Sequence, residues 1–188
     1  MILTVNRLKK LLKQKAYITG EFTFSSGQKS NFYFDFKRAA SDPEILSLIG
    51  QIFLARLQAL HKPIDAVGGP MFGATPIATS IAVMSHKQRN PVQAFYIRKE
   101  KKEHGTTNYV EGNIQIDPYF NAVIVEDVVT TGASVLQAIE NAKTEMNIEI
   151  QYVFALVDHK QGGREAIEKA GYKFCSLFTI SDFHPQSS

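Results

Sequence analysis

Along the first third of the chain, apolar residues recur at helical spacing. Val5, Leu8, Leu11 and Leu12 fall on one side of the stretch Thr4 to Lys15, with Lys9, Lys10, Lys13 and Lys15 around the rest of the turn. A basic amphipathic helix can lie on a membrane, but at this length a terminal helix docked on the protein body is expected. Gly20 closes that region. Phe22 and Phe24, then Phe32, Phe34 and Phe36, alternate with other residues, which predicts two strands flanking a turn at Ser25-Ser26-Gly27-Gln28-Lys29. Ser41-Asp42-Pro43-Glu44 reads as a helix start: a capping residue, proline in the first turn, and acidic charge near the positive dipole end. Ile45, Leu48, Ile49, Ile52, Phe53, Leu57 and Leu60 then form one apolar stripe that ends near Pro63.

Beyond Pro63 the periodicity changes. Short apolar runs at Asp65 to Val67, Val92 to Ile97, Ala122 to Val125, Tyr152 to Val157 and Tyr172 to Phe178 alternate with helical segments at Thr75 to His86, Ala133 to Met146 and Gly163 to Ala170. Strands apolar on successive residues and separated by helices predict an α/β protein, with a central parallel sheet of about five strands flanked by helices. The polar tail Pro185-Gln186-Ser187-Ser188 is expected to fray.

Composition narrows the class without naming a chemistry. A chain of 188 residues, 44% hydrophobic and 21% charged, is the size of one domain with a sizeable core. Lys and Arg number 21 against 18 Asp and Glu, a surplus of +3 that implies no wholesale nucleic-acid binding. The single cysteine, Cys175, excludes an internal disulfide framework and reads as a core thiol. No apolar run is long enough to span a bilayer, and the N-terminus lacks the features of a secretory signal. A single-domain cytoplasmic protein is expected.

In open sheets of this kind, ligands bind beyond the carboxyl ends of the strands, so the chemistry is sought there. After Val123-Ile124-Val125 come Glu126 and Asp127, then Val128, Val129, Thr130, Thr131, Gly132, Ala133 and Ser134 leading into a helix. Adjacent carboxylates suit the hydroxyls of a ribose, and the small hydroxyl-rich turn at a helix start suits a phosphate. The segment lacks the lysine of a Walker A loop, and G-x-G-x-x-G is absent. An ordinary capped turn is the rival reading. Past the next strand end, Arg98-Lys99-Glu100-Lys101-Lys102-Glu103-His104-Gly105 gathers four bases and a histidine, either for a polyanion or as a solvated hairpin. Gly68-Gly69-Pro70-Met71-Phe72-Gly73 permits close backbone approach to a diphosphate, or is a tight connection. Asp158-His159-Lys160-Gln161-Gly162-Gly163 could meet a base or simply turn the chain.

In order and over nearly the whole chain, these segments resemble the orotate branch of the type I phosphoribosyltransferases. Glu126 to Ser134 looks like their 5-phosphoribosyl 1-diphosphate (PRPP) loop, Arg98 to Gly105 their mobile loop, and Ser26-Gly27-Gln28-Lys29-Ser30 their N-terminal segment. The resemblance implies one domain over residues 1–188, with helices and a small hood over 1–64 and the sheet core over 65–184. It implies transfer of phosphoribosyl from PRPP to orotate, giving orotidine 5'-phosphate and diphosphate. It assigns PRPP binding to Lys29, Arg98, Lys99, Lys102, His104 and the run Glu126, Asp127, Val128, Val129, Thr130, Thr131, Gly132, Ala133, Ser134. Lys102, His104 and Asp127 are the implied catalytic residues. Tyr33, Phe34 and Thr130 would meet the base. Magnesium would arrive with PRPP, and Arg98, Lys102 and His104 would serve a second subunit's site in a homodimer.

Two positions depart from the family pattern: Gly73 stands where some members carry a lysine in the diphosphate loop, though glycine also occurs there, and the more serious departure is at residue 159. His159 stands where the resemblance implies an arginine on the orotate carboxylate, and an imidazole cannot make a bidentate clamp. Either His159 makes a weaker contact, or Lys160 or Arg164 substitutes, or the base is another one. A different nucleobase, and a non-catalytic PRPP-responsive regulator, are the alternatives.

Overall fold

Six strands in the order β5-β4-β3-β6-β7-β8 make the main sheet of the computed structural model, which describes residues 1–23, 29–101, 108–112, 114 and 119–184. The chain runs α1 (Ile2–Lys15), β1 (Tyr17–Thr23), β2 (Lys29–Phe34), α2 (Phe36–Ala39), α3 (Pro43–Gln58), β3 (Ala66–Pro70), α4 (Ala74–Lys87), β4 (Gln93–Ile97) and β5 (Val110–Glu111). It continues through β6 (Phe120–Val129), α5 (Ala133–Glu145), β7 (Ile148–Asp158), α6 (Gly163–Lys169), β8 (Lys173–Thr179) and a 3-10 turn at Ile180–Phe183. β4, β3, β6, β7 and β8 are parallel, the predicted five, and only the two-residue β5 runs antiparallel.

Alternation along the buried strands feeds two cores. Val123 and Val125 face one way, toward Ile49, Phe53 and Ile77 of α3 and α4. Ala122 and Ile124 face the other, toward Val135 and Ile139 of α5 and Ile167 of α6. Side chains therefore cover both faces, which is why these strands read as continuous apolar runs. Among the described residues, no helix is long and apolar enough to cross a membrane.

Asp42 caps α3 as the sequence predicts, accepting from the amides of Glu44 (2.8 Å) and Ile45 (3.1 Å), with Pro43 in the first turn. The basic α1 docks on the body: Arg7 donates to both Glu44 carboxylate oxygens at 2.7 and 2.9 Å, and Lys9 to Asp182 at 2.9 Å. β1 and β2 form an antiparallel hairpin that begins at Tyr17, earlier than the phenylalanine alternation suggests. Phe36 lies in α2 rather than a strand, because Asp35 accepts the Lys37 amide and starts a helical turn. β6 extends four residues past Val125, so Glu126 to Val129 are strand and only Thr130 onward is turn. Phe24, the turn Ser25 to Gln28 and the tail lie outside the described residues.

Candidate functional site

The middle of the sheet sets where the two carboxylates emerge. β6 runs between β3 and β7, so Glu126 and Asp127 reach the carboxyl edge with strands on both sides. Glu126 is buried, and its Oε1 accepts the Asp127 amide at 3.1 Å; Asp127 Oδ1 accepts the Val128 amide at 2.8 Å. Burial, and then the neighbouring Asp127 charge, hold the Glu126 carboxyl well above the usual carboxylate range. The turn from β3 into α4 presses on the same carboxylate: a Cβ at Gly73 would collide with Asp127.

Thr130, Thr131 and Gly132 turn the chain from β6 into α5, whose first amides have no side-chain cap. An uncapped helix start attracts an anion through its free N–H groups and dipole. A cavity of about 400 Å³ opens there, lined by Ala133, Ser134, Gln137 and Asn141 of α5, Pro70 and Met71 after β3, and Arg98 and Lys99 after β4. Arg98 and Lys99 thus share a cavity with Ala133 and Ser134, the last two residues of the predicted phosphate turn. Arg98 Nε donates to Glu111 at 2.7 Å, which makes it a counted partner of β5 in this state. Lys29 begins β2, exposed and paired with Thr23. Lys102 and His104 lie outside the described residues.

A second cavity, about 290 Å³, lies between the hairpin and the sheet edge, lined by Tyr33, Phe34, Lys37, Asp127, Val128, Thr130 and His159 among others. Val129, by contrast, is 1% exposed and packs into the core, while its carbonyl accepts the His159 amide at 2.9 Å. The His159 ring stacks on Phe32, centroids 5.9 Å apart and planes 25° off parallel. Phe32 also stacks on Tyr17 at 5.4 Å and meets His184 edge-on at 4.8 Å. Burial pushes the His159 imidazole down; its own backbone and Asp158 oppose that, and His184 adds to it.

The neighbours of His159 turn elsewhere. Asp158 is fully buried and accepts the Lys160 amide at 2.8 Å, with Lys160 Nζ at 3.4 Å and Arg164 Nε at 3.7 Å. Arg164 further reaches Glu168 (3.2 Å) and the Phe174 carbonyl (3.3 Å), and lies over the Phe174 ring. Of the three basic candidates in this segment, His159 is the one that lines the cavity.

Sequence reasoning missed Lys37, Gln137, Asn141 and His184. The first three carry no motif, and their places follow from how helices dock. His184, next to the polar tail, carries no motif either, yet its ring packs against Tyr17 and Phe32 of the hairpin. A larger cleft, about 590 Å³, lies at the amino ends of β3 and β4 near Leu57, His61 and Pro91. Size does not make it the site, because the paired carboxylates, the uncapped helix and the basic residues gather at the opposite edge. Among the described residues, no group of three His, Cys, Asp or Glu could hold a metal ion.

No family model matches the chain. It is 39% identical over 179 residues to an orotate phosphoribosyltransferase of Rhodopseudomonas palustris (strain TIE-1), covering 94% of each chain. It is 38% identical over 185 residues to one of Aquifex aeolicus (strain VF5), covering 97% and 98%. Among solved structures, the orotate phosphoribosyltransferase of Mycobacterium tuberculosis H37Rv in complex with Fe(III) dicitrate superposes with a TM-score of 0.82 at 30% identity, covering 97% and 99%. The same protein in complex with PRPP gives 0.75 at 30% identity, covering 96% and 98%. With the carboxylate pair, the small hydroxyl-rich turn and the aromatic cavity in one place, and relatives matched end to end at this identity, the chain belongs to the orotate phosphoribosyltransferase family.

Proposed function

We propose that this protein transfers the 5-phosphoribosyl group from PRPP to orotate, forming orotidine 5'-phosphate and releasing diphosphate. One observation carries the reading: an acid pair, an uncapped helix start and two cations converge on one sheet edge, beside an aromatic cavity suited to a planar base. Glu126 and Asp127 suit the ribose hydroxyls. The amides and hydroxyls of Thr130 to Ser134 hold the 5-phosphate. Lys29, Arg98, Lys99, Lys102 and His104 hold diphosphate oxygens. Tyr33, Phe34, Thr130 and His159 enclose the base.

As the anomeric C–N bond forms and the C–O bond breaks, positive charge grows on the ribose and negative charge on the leaving diphosphate. The protein's task is positioning and charge placement rather than covalent chemistry. Lys102 supplies the cation at the leaving oxygens, and His104 a proton donor. The residues present fit magnesium that travels on the diphosphate, since the buried Glu126 and the partly exposed Asp127 make too few ligands for a protein cage. When bound, it neutralises diphosphate charge.

The chain acts as one domain, residues 1–188, with N-terminal helices and hood strands over 1–64 and the sheet core over 65–184. Two copies pair so that Arg98, Lys102 and His104 reach the partner's site. His159 favours a second reading, transfer to a base without a carboxylate, because imidazole is a poorer clamp than guanidinium.

A direct assay separates these. Diphosphate release from PRPP and magnesium is expected with orotate and not with uracil or purine bases. Release with uracil alone moves the assignment to another base; release with none overturns the transferase.

A further inference from the structure

Helix α5 carries a polar stripe that the proposed reaction does not use. Gln137, Asn141 and Glu145 stand four residues apart on one face, in line with Ala133 at the phosphate turn. Asn141 is 5% exposed. Its Nδ2 donates to the carbonyls of Arg98 (3.1 Å) and Lys99 (3.5 Å), and its Oδ1 accepts from Gln137 Nε2 at 2.9 Å. Glu145 ends the helix. Its carboxylate accepts the Tyr109 amide at 2.8 and 2.9 Å and the Val110 amide at 3.0 Å, with Lys101 Nζ at 3.7 Å. Lys101 in turn lies 4.9 Å over the Tyr109 ring.

Helix geometry makes this arrangement informative. A carboxylate at a helix C-terminus faces the negative end of the dipole and is disfavoured there. A buried amide is costly unless its donors and acceptor are all matched. Here both side chains spend their hydrogen bonds on the backbone either side of the basic segment, at Arg98 and Lys99 going out and at Tyr109 and Val110 coming back. The helix whose first turn holds the phosphate therefore also sets where the cations for the diphosphate begin.

We propose that Gln137, Asn141 and Glu145 are positioning residues that tie the stem of the basic segment to α5, fixing the distance between the 5-phosphate turn and Lys99 of the same site. The proposal rests on the PRPP reading above. It deepens that reading by naming the strut on which both charge sites are mounted.

Asn141→Leu keeps the branching at Cγ and removes the donor; Glu145→Ala removes the acceptor; Glu145→Gln retains one acceptor oxygen; Glu140→Gln, exposed on the same helix, is the control. Expected for the first two is a fall in kcat/KM for PRPP of roughly tenfold or more, the scale of a small misplacement of reacting groups. KM for orotate should stay within about twofold, since the base cavity is untouched. Glu145→Gln should recover part of the loss and Glu140→Gln should show none. In Glu145→Ala, the Tyr109 and Val110 amides should exchange faster with solvent. Unchanged PRPP kinetics despite faster exchange would overturn the proposal. So would an equal loss for PRPP and orotate with a lowered melting temperature, which is the mark of general damage. Wild-type protein inert toward PRPP would instead remove the function proposed above, so the two failures are told apart by the wild-type assay.

Discussion

Glu126 and His159 are the two titrating side chains whose behaviour the surroundings change most at the site. Burial makes Glu126 hold its proton more tightly folded than unfolded. The folded state therefore binds more protons above the ordinary carboxylate range, and stability falls as pH rises from there through the raised value. Glu126→Gln removes that titration. Melting temperature measured across pH should decline less steeply in the variant, which becomes the more stable protein at neutral pH; matching slopes would mean that Glu126 ionises freely. His159 is shifted the other way by burial. The folded state resists its protonation, so this group costs stability as pH falls below the ordinary imidazole value. A protonated ring is nonetheless the form that attracts an anionic base. KM for orotate should drop as pH is lowered below the ordinary imidazole value of about 6.5, because burial puts the His159 titration there. His159→Ala should lose that dependence, and His159→Arg should show a low KM throughout. A wild-type KM that does not respond to pH would take His159 out of base recognition. The histidine was visible in the sequence as a departure, but its rivals Lys160 and Arg164 were set aside only by their contacts with buried Asp158.

The packing of α6 against the phosphate turn shows how elements distant in sequence shape the site. Gly163 opens α6, and a Cβ there would overlap the Thr130 carbonyl and the Val129 side chain. Neither can retreat cheaply, one being backbone and the other core. Gly163→Ala is expected to destabilise the protein by about 1–3 kcal/mol, as overpacked sites do, and to raise KM for PRPP by moving the turn. Chemical denaturation and PRPP saturation curves check both; a variant matching wild type in each would show that the turn tolerates the displacement. The pair Gly162-Gly163 was legible as a turn, whereas the close approach that makes the second glycine necessary was not. Similarly, α5 was expected from its apolar spacing, while its polar stripe carried no recognisable signal. Short pieces escaped for a related reason. The four residues of α2 and the two of β5 are too few to show a period, and each exists because a neighbour completes its hydrogen bonds.

Sharing of sites between two copies is a claim about the assembled enzyme. Lys102→Ala alone should lower turnover on the order of 10²-fold or more, the usual loss for one electrostatic stabiliser. Mixing that variant with an Asp127→Asn variant under conditions that exchange subunits should restore part of the activity, because one composite site then holds both intact residues. Heterodimers with no recovery would count against shared sites. Within a single copy, the alternation of apolar strands and helices already specified a parallel sheet covered on both faces, and the acid pair, small hydroxyl turn and basic segment already suggested a phosphorylated sugar. Those properties are local: periodicity and spacing are read between near neighbours. Which basic side chain lines the cavity, which carboxyl burial pushes up, and how the hairpin sits on His159 through Phe32 were decided by packing. Each depends on burial and on contacts between residues far apart in the chain, and burial is a property no residue possesses until the others have taken their places.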